Sequence, residues 1–447
     1  MSKQILLVAL VALTTIFASG SNAADLLASW RAARAYDANF SAAGNALSAG
    51  LEKSKQGDSM ILPQVALTGS MIEARKSVAP GDPAIAGTVA QGAQYGSTVS
   101  LVQPIYNASA FATRNELKVQ TQQAQVQYRL AEQDLILRVA KAYFEVLLAQ
   151  ENVNLVKAQM DAVSQQLAQA KKTFSVGSAT ITDTNEAQAR FDAIVASEIS
   201  ARNDLGLKQA AYRQLTNLDP LKLVPISETR TPTPPQPAVM DPWLLQAQSG
   251  SLAVIAQELG IRIAKSEIDR YRLEASPTLA LVANVGRQWD GSGSAGFGSP
   301  NRTSSNTIGL QLTIPLYTGG YRSSKYREAV SLADQQRDTL EAIVRDAQQT
   351  ARQSFLGVET GAAQIKALEQ AKVSSASSVS SSKVGRDIGV RTTVDVLNAE
   401  QIHYQNLYNL VAARYQYLLS KLQLAASVGK LNEGELESVN SWLVAGT

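Results

Sequence analysis

The 447-residue chain carries 41 Lys and Arg against 38 Asp and Glu, a formal charge of +3, and it contains no cysteine. So small and dispersed an excess, with no basic run interleaved with aromatics, argues against a nucleic-acid partner; the missing cysteines exclude disulfides, zinc–thiolate centres and thiol nucleophiles. Aromatics are only 6% and mean hydropathy is −0.08. Ala, Gln, Ser and Val recur throughout, a balance that suits long helices packed through small side chains. Beyond the first twenty residues no window is apolar enough for a transmembrane helix, so insertion into a bilayer would have to use strands.

In chain order, Lys3, the apolar stretch from Ile5 to Ala18 and the small residues Ser21-Asn22-Ala23 read as a cleaved export signal over 1–23, with Ala24 opening the mature chain. No cysteine follows it to carry a lipid anchor. A first structural repeat spans 24–228. It is predicted to hold a helix over 25–56, a strand over 64–73 in which Val65, Leu67, Gly69 and Met71 alternate, and a Gly/Pro-rich loop over 74–94. A second strand over 95–106 sets Val99 and Leu101 on one face against Thr98 and Ser100 on the other. A long helix over 107–176 and a shorter one over 184–217 complete the repeat. Pro232, Pro234, Pro235, Pro237 and Pro242 then make 229–242 an extended linker. The second repeat, 243–430, offers strands over 279–289 and 307–317, a long helix over 320–383 and short helices over 242–275 and 394–428. A tail covers 431–447.

The halves match by landmarks. Val102-Gln103-Pro104-Ile105-Tyr106 corresponds to Thr313-Ile314-Pro315-Leu316-Tyr317 (315 − 104 = 211), residues 177–188 correspond to 389–400 (389 − 177 = 212), and Pro63 corresponds to Pro277 (277 − 63 = 214). At ~1.5 Å per residue the long helices approach ~100 Å and the short ones ~50 Å, so two short helices stacked end to end equal one long one. A wall of uniform height follows from that equality.

Alternating strands of ten to twelve residues fit a tilted bilayer crossing, and Tyr95, Tyr106, Trp289 and Tyr317 stand where aromatic girdles form. A small soluble β-subdomain is the competing reading of the same pattern. Four strands cannot close a barrel, and open edges in lipid leave backbone groups unsatisfied, so several chains would have to contribute. Three chains give twelve strands and room for water, which makes a trimer with a pore the simplest hypothesis.

Pro315-Leu316-Tyr317-Thr318-Gly319-Gly320 resembles the strand-to-helix junction of TolC-like outer-membrane efflux and secretion channel-tunnels, and 389–399 resembles their second helix-turn-helix motif. The resemblance covers essentially the whole mature chain. It implies an α+β membrane protein, a homotrimer whose four strands per protomer form a twelve-stranded transmembrane barrel continuing into a long α-helical coiled-coil tunnel. It implies a location in the outer membrane of a Gram-negative bacterium, among outer-membrane lipid and reaching into the periplasm. The partners it implies are a periplasmic adaptor (membrane fusion) protein and an inner-membrane ABC or RND transporter. No cofactor is required, because energy enters at the pump.

In similar proteins two acidic positions of the second turn ring the entrance, and they fall here on Asp395 and Asn398; with Asn398 neutral, a single ring of Asp395 is expected. The family also closes its mouth with polar links. Thr182 and Asp183 match the first-turn pair, Arg391 matches the Arg near the second turn, and Arg386 stands in the aromatic's place, where it could pair with Asp183. Arg386 and Arg391 are thus expected to latch the closed state. Thr180 and Thr393 are expected to cap the helices that follow the turns. His403, the only His, sits on an amphipathic helix beside Tyr404, neither HExxH nor GxxxxGK[ST] occurs, and no acidic pair stands out, so an enzyme is not expected. A seryl run from Ser374 to Ser382 marks either a lumen-facing strip or close helix packing. The missing anchor and the likeness of the second turn to that of TolC itself point to type I protein secretion, with multidrug efflux as alternative and a non-channel coiled-coil adaptor as the competitor of another class.

Overall fold

A computed structural model describes residues 24–78, 81, 88–177, 180–227, 230–291 and 301–443; the expected export signal lies outside them. Nine helices and four strands are assigned among the described residues. The first half contributes α1 (Leu26–Tyr36), α2 (Ala38–Ser59), β1 (Gln64–Val78), β2 (Thr88–Tyr106), α3 (Ala108–Ser175) and α4 (Ile181–Thr216). The second half repeats that order as α5 (Asp241–Gly250), α6 (Leu252–Leu273), β3 (Thr278–Asp290), β4 (Asn301–Thr313), α7 (Tyr321–Asp387) and α8 (Thr393–Ser427). Helix α9 (Glu433–Asn440) follows. Among the described residues no helix is long and apolar enough to cross a membrane.

The length match holds, with a refinement. Helices α3 and α7 have 68 and 67 residues, about 100 Å at the α-helical rise. Each packs along α4 or α8 over one part of its length and along a broken pair, α1–α2 or α5–α6, over the other. The sequence predicted one continuous helix over 25–56 and another over 242–275. Asp37 (ψ 119°) and Ser251 (ψ 128°) interrupt them with non-helical backbone at equivalent places (251 − 37 = 214). Pro242 belongs to the first turn of α5 rather than to the linker, a position where proline's missing N–H costs nothing.

Near the midpoint of α3, the buried Tyr143 gathers the chain's irregular segments. Its hydroxyl accepts from the Val224 N–H (3.0 Å) and faces the carbonyls of Val224 (2.8 Å) and Ala24 (3.1 Å) as donor. Burial pushes this phenol well above its ordinary value, so it remains a proton donor. In the other half Tyr417 accepts from the Thr233 N–H (3.1 Å) and donates to the Thr233 carbonyl (2.8 Å). The tail joins this collar: Asn440 bonds the Leu27 N–H and the Asp25 carboxylate, and the Ser227 N–H donates to the Trp442 carbonyl. The main apolar core, with Trp30, Leu135, Phe144, Tyr212, Leu418 and Leu436, lies at the same level.

The strands form one antiparallel sheet, β1-β2-β3-β4, with β1 and β4 as open edges. All four helical connections enter at one end of the sheet; the segments joining β1 to β2 and β3 to β4 lie at the other. The register sorts side chains by chemistry. One face carries the rows Val65–Leu101–Ala283–Ile308 and Leu67–Val99–Val285 with the pairs Leu281–Leu310 and Leu279–Leu312; the other carries Ser100–Asn284–Thr307 and Thr68–Thr98–Gly286–Ser305. In the single protomer the apolar face is bare, with Leu67 75% and Ile308 76% exposed.

Strands β1 and β2 extend farther into 74–94 than the sequence indicated. Strand β4 ends at Thr313 rather than near Tyr317 because Pro315 has no N–H for the ladder, and Tyr317 therefore sits on the connection to α7 instead of at a strand end. Tyr95, expected at a strand end, lies inside the lengthened β2, where its ring meets Trp289 at 5.3 Å between centroids.

Asp37 provides a test of the collar. Its side chain caps α2 through the Phe40 N–H (2.8 Å) and meets Arg138 of α3 at 2.6 Å while almost fully buried. Burial opposes its ionisation, but the Arg138 and Phe40 bonds outweigh that and hold the carboxyl below its ordinary value. A depressed acid stabilises the fold above its unfolded-state pKa and loses that contribution as pH falls through the folded one. Asp37→Asn, which keeps the cap, should therefore cost about 1–3 kcal/mol at pH 7. In thermal unfolding at stepped pH, the gap to wild type should close below about pH 4; a pH-independent gap would show that the ion pair is not its cause.

Candidate gate at the turn end of the coils

The end of the coils opposite the sheet is made by two turns built to one plan. Gly177 (φ 77°) and Gly389 (φ 80°) take the left-handed conformation that ends α3 and α7, which disfavours any side chain with a Cβ. Three residues on, Thr180 and Thr392 cap α4 and α8, and Asp183 and Asp395 complete reciprocal capping boxes (392 − 180 = 212; 395 − 183 = 212). The second cap is Thr392, not the expected Thr393, which is already the first helical residue.

Asp395 is the better characterised acid of the two. Its Oδ2 accepts from the Thr392 N–H (2.8 Å) and hydroxyl (3.0 Å), and Arg391 Nη1 stands 3.9 Å from its Oδ1. The Thr392 N–H bond first, then the hydroxyl bond, holds its carboxyl below the ordinary value, so Asp395 is anionic at neutral pH. Arg391 folds its side chain over Gly385, where an added Cβ would meet Arg391 Cγ at 2.7 Å; the Gly385 carbonyl accepts from the Val390 and Arg391 N–H groups. Glycine at 385 lets the turn close this tightly.

Of the remaining sequence-predicted residues, Arg386 departs from expectation within the protomer. Within the protomer Arg386 does not pair with Asp183, because Asp183 is held by Thr180. Arg386 instead bonds Gln166 of α3 and its neighbour Asp387. Thr182 is exposed beside Asp183. Asn398 accepts from Arg190 Nη2 (3.0 Å), and the same guanidinium reaches Gln401 through Nη1 (2.8 Å). The two coils of one protomer are thus tied twice near their ends, α7 to α3 by Arg386–Gln166 and α8 to α4 by Arg190–Asn398/Gln401. Between the ties Leu397 inserts into the cluster of Val163, Leu167, Ala170, Ala187 and Ile194.

Arg190, Gln166 and Leu397 were not anticipated. Their partners lie on other helices more than 200 positions away, and no local pattern marks such pairs. One sequence signal was available: Lys171–Gln188 (3.1 Å) and Lys383–Glu400 (2.8 Å) are the same cross-brace in the two halves (383 − 171 = 212; 400 − 188 = 212). Only the second carries a carboxylate, and Glu400 is almost fully buried. His403 bonds Ser375 through Nδ1 (2.9 Å), which makes at least that member of the seryl run a packing contact. Among the described residues no His, Cys, Asp and Glu cluster that could hold a metal occurs.

The profile of the outer membrane efflux protein family matches residues 30–218 and 243–430, one segment in each half. The chain belongs to that family. It is 32% identical over 385 residues to the outer membrane protein TolC of Vibrio cholerae, covering 86% of each chain. It is 32% identical to the alkaline protease secretion protein AprF of Pseudomonas aeruginosa over 79% of this chain and 73% of that one. The fold of the Campylobacter jejuni CmeC outer membrane channel superposes with a TM-score of 0.78 at 18% identity, over 94% of this chain and 90% of that one. As a member of this family the chain is an outer-membrane protein that extends into the periplasm.

Two expectations follow for the turn end. Removing both ties in Arg190→Ala/Arg386→Ser should raise single-channel conductance several-fold while thermal stability falls by about 1–2 kcal/mol. Unchanged conductance in a correctly folded oligomer would exclude the ties as a closure device. Lys383→Ala, which strands buried Glu400, should cost about 1–3 kcal/mol, whereas Lys171→Ala, which frees a neutral Gln188, should stay within about 0.5 kcal/mol. Equal losses in urea unfolding would refute the distinction.

Proposed function

We propose that three copies of this chain form a channel-tunnel whose sheets close into a twelve-stranded barrel, and that the duct serves as the outer-membrane exit of a type I protein secretion system. The observation that carries the duct is the sheet itself. It is apolar on one face and polar on the other in continuous register, open at both edges, and joined to two coils of matched height. In a ring of identical protomers the β4 edge of one copy meets the β1 edge of the next, which satisfies the backbone of both. Four strands from each of three copies give a lumen wide enough for water. From Leu279 to Trp289 is ten residue steps (289 − 279 = 10), about 33 Å along a strand and about 25 Å in height at the usual tilt, the depth of an outer-membrane apolar band.

The turn end then faces the periplasm. A threefold ring of Asp395, anionic at neutral pH, concentrates cations at a narrow mouth. The ties through Arg190 and Arg386 hold the second coil against the first in the closed state, and Arg391 lies beside the Asp395 ring. Docking of a periplasmic adaptor, energised by an inner-membrane ABC transporter, releases them as a ligand biases any two-state element. The protein-secretion reading is supported by the name of the Pseudomonas aeruginosa relative. Drug efflux with an RND pump is the second reading, supported by membership of the outer membrane efflux protein family. Neither reading involves catalysis.

In a planar bilayer the purified oligomer should give small, cation-preferring steps, and Asp395→Ala should lose most of that preference. No conductance from a folded oligomer of either form would overturn the duct in favour of a structural adaptor. Comparing exported polypeptides with drug susceptibility in a deletion strain separates the two cargoes: loss of a secreted protein with unchanged susceptibility supports type I secretion, and the reverse supports efflux.

A further inference from the structure

On the apolar face of the sheet, toward the end away from the helices, the chemistry changes abruptly. Above Val99–Val285 comes the row Ser97–Arg287–Ser304, and above that Tyr95–Trp289–Arg302. These side chains, with Gly96 and Gln288, line a groove of about 570 Å³. Arg287 and Arg302 are diagonal neighbours on one face, about 7–8 Å apart by sheet geometry. Among the described residues no carboxylate lies within ion-pair distance of either. The nearest acid along the strand, Asp290, is on the opposite face, where it is buried and accepts from Gln288 (2.7 Å). On β1, Glu73 of the same face is bonded by Gln91.

Two like charges beside a hydrocarbon-facing surface, with no counter-ion among the described residues of the protomer, call for an anion from elsewhere, and their level in the band says where it comes from. The Tyr95–Trp289 pair stands at the upper limit of the apolar rows, where amphipathic rings settle at the headgroup level. Guanidinium groups bind phosphate through parallel N–H donors, and Ser97 and Ser304 add hydroxyls to the same row.

We propose that this groove binds the phosphate of an acylated, phosphate-bearing lipid of the outer leaflet, with Arg287 and Arg302 holding the phosphate and Tyr95 and Trp289 flanking it. The acyl chains lie over Val99, Val285 and Ile308. The proposal rests on the barrel reading, since it needs the apolar face to point to lipid. It gives each protomer a fixed lipid at the outer rim of the barrel, beside the β4 edge where two protomers meet.

The test uses the full-length oligomer purified in non-ionic detergent and offered hexa-acylated bisphosphoryl lipid A, its dephosphorylated counterpart or phosphatidylcholine, with retained lipid counted by native mass spectrometry. Wild type should retain the bisphosphorylated lipid at least about tenfold more strongly than the other two. Arg287→Gln/Arg302→Gln should abolish that preference without changing conductance. Equal retention of all three lipids, or undiminished preference in the double variant, would overturn the site. Should the variant fail to assemble, competition on wild-type protein decides: displacement of the lipid by excess inorganic phosphate would assign a free-phosphate site instead, and resistance to it supports the lipid. Conductance reports the barrel separately, so a conducting oligomer without lipid preference sinks this proposal alone, whereas a folded, non-conducting one sinks the barrel reading first.

Discussion

A backbone amide in hydrocarbon has no water to bond, and that constraint organises this molecule. The sheet β1-β2-β3-β4 satisfies its inner strands and leaves two edges unpaired. Its Leu, Val and Ile face would be an aggregation hazard on a soluble protein and is an asset only against lipid. Both problems vanish together when edges join around a ring, because closure that pairs β4 with a neighbouring β1 also turns the apolar face outward and the Ser/Thr/Asn face toward a lumen. On the proposed barrel, oligomerisation is part of the fold: the single protomer leaves its strands without the partners that would make them stable in a bilayer.

The helices solve a second geometric problem, that of carrying a barrel's circumference across the periplasm. One long helix needs a companion along its whole length, and the duplicated chain supplies it in two pieces that enter from opposite ends. The junction between pieces leaves helix termini and linker segments in the middle of the wall, where buried polar backbone would be costly. Tyr143 and Tyr417 meet that need by giving one hydroxyl to both an N–H and a carbonyl. Asp37 does the same service where α1 breaks into α2, serving as cap and as ion-pair partner of Arg138.

How much of this was legible in the sequence depended on how local the signal is. Gly177 and Gly389, the Pro104 and Pro315 landmarks and the alternation through Val65, Leu67, Val99 and Leu101 each reflect a constraint within a few residues, and the elements they predict are present. The breaks at Asp37 and Ser251 were missed although both residues are familiar N-cap types, because helical periodicity continues across them. The strand extensions into 74–78 and 88–94 were missed because their alternation is masked by Gly, Ala and Gln. Within the protomer Arg386 turns to Gln166 and Asp387, a choice that no local pattern marks, while Asp183 is engaged by Thr180 in its capping box. The Arg190–Asn398 tie could not be read at all, since neither residue bears any local mark of the other.

The divergence of the two halves carries the last step. A strict duplication would make both coils equivalent, and a mouth of six equal hairpins would have no reason to move one set against the other. Here the equivalents of Arg190, Asn398 and Gln401 are Ile402, Glu186 and Ala189 (402 − 190 = 212; 398 − 186 = 212; 401 − 189 = 212), so the tie runs from the first coil to the second and cannot be reciprocated. The cross-brace likewise ends on neutral Gln188 in the first half and on buried Glu400 in the second. Asn398 also changes meaning. At the proposed mouth a neutral residue subtracts a charge from the entrance, and as the acceptor of Arg190 it places the tie at that same position. A carboxylate at 398 would bind Arg190 more strongly and resist release, so neutrality there fits the proposed role of a tie that opens when an adaptor docks.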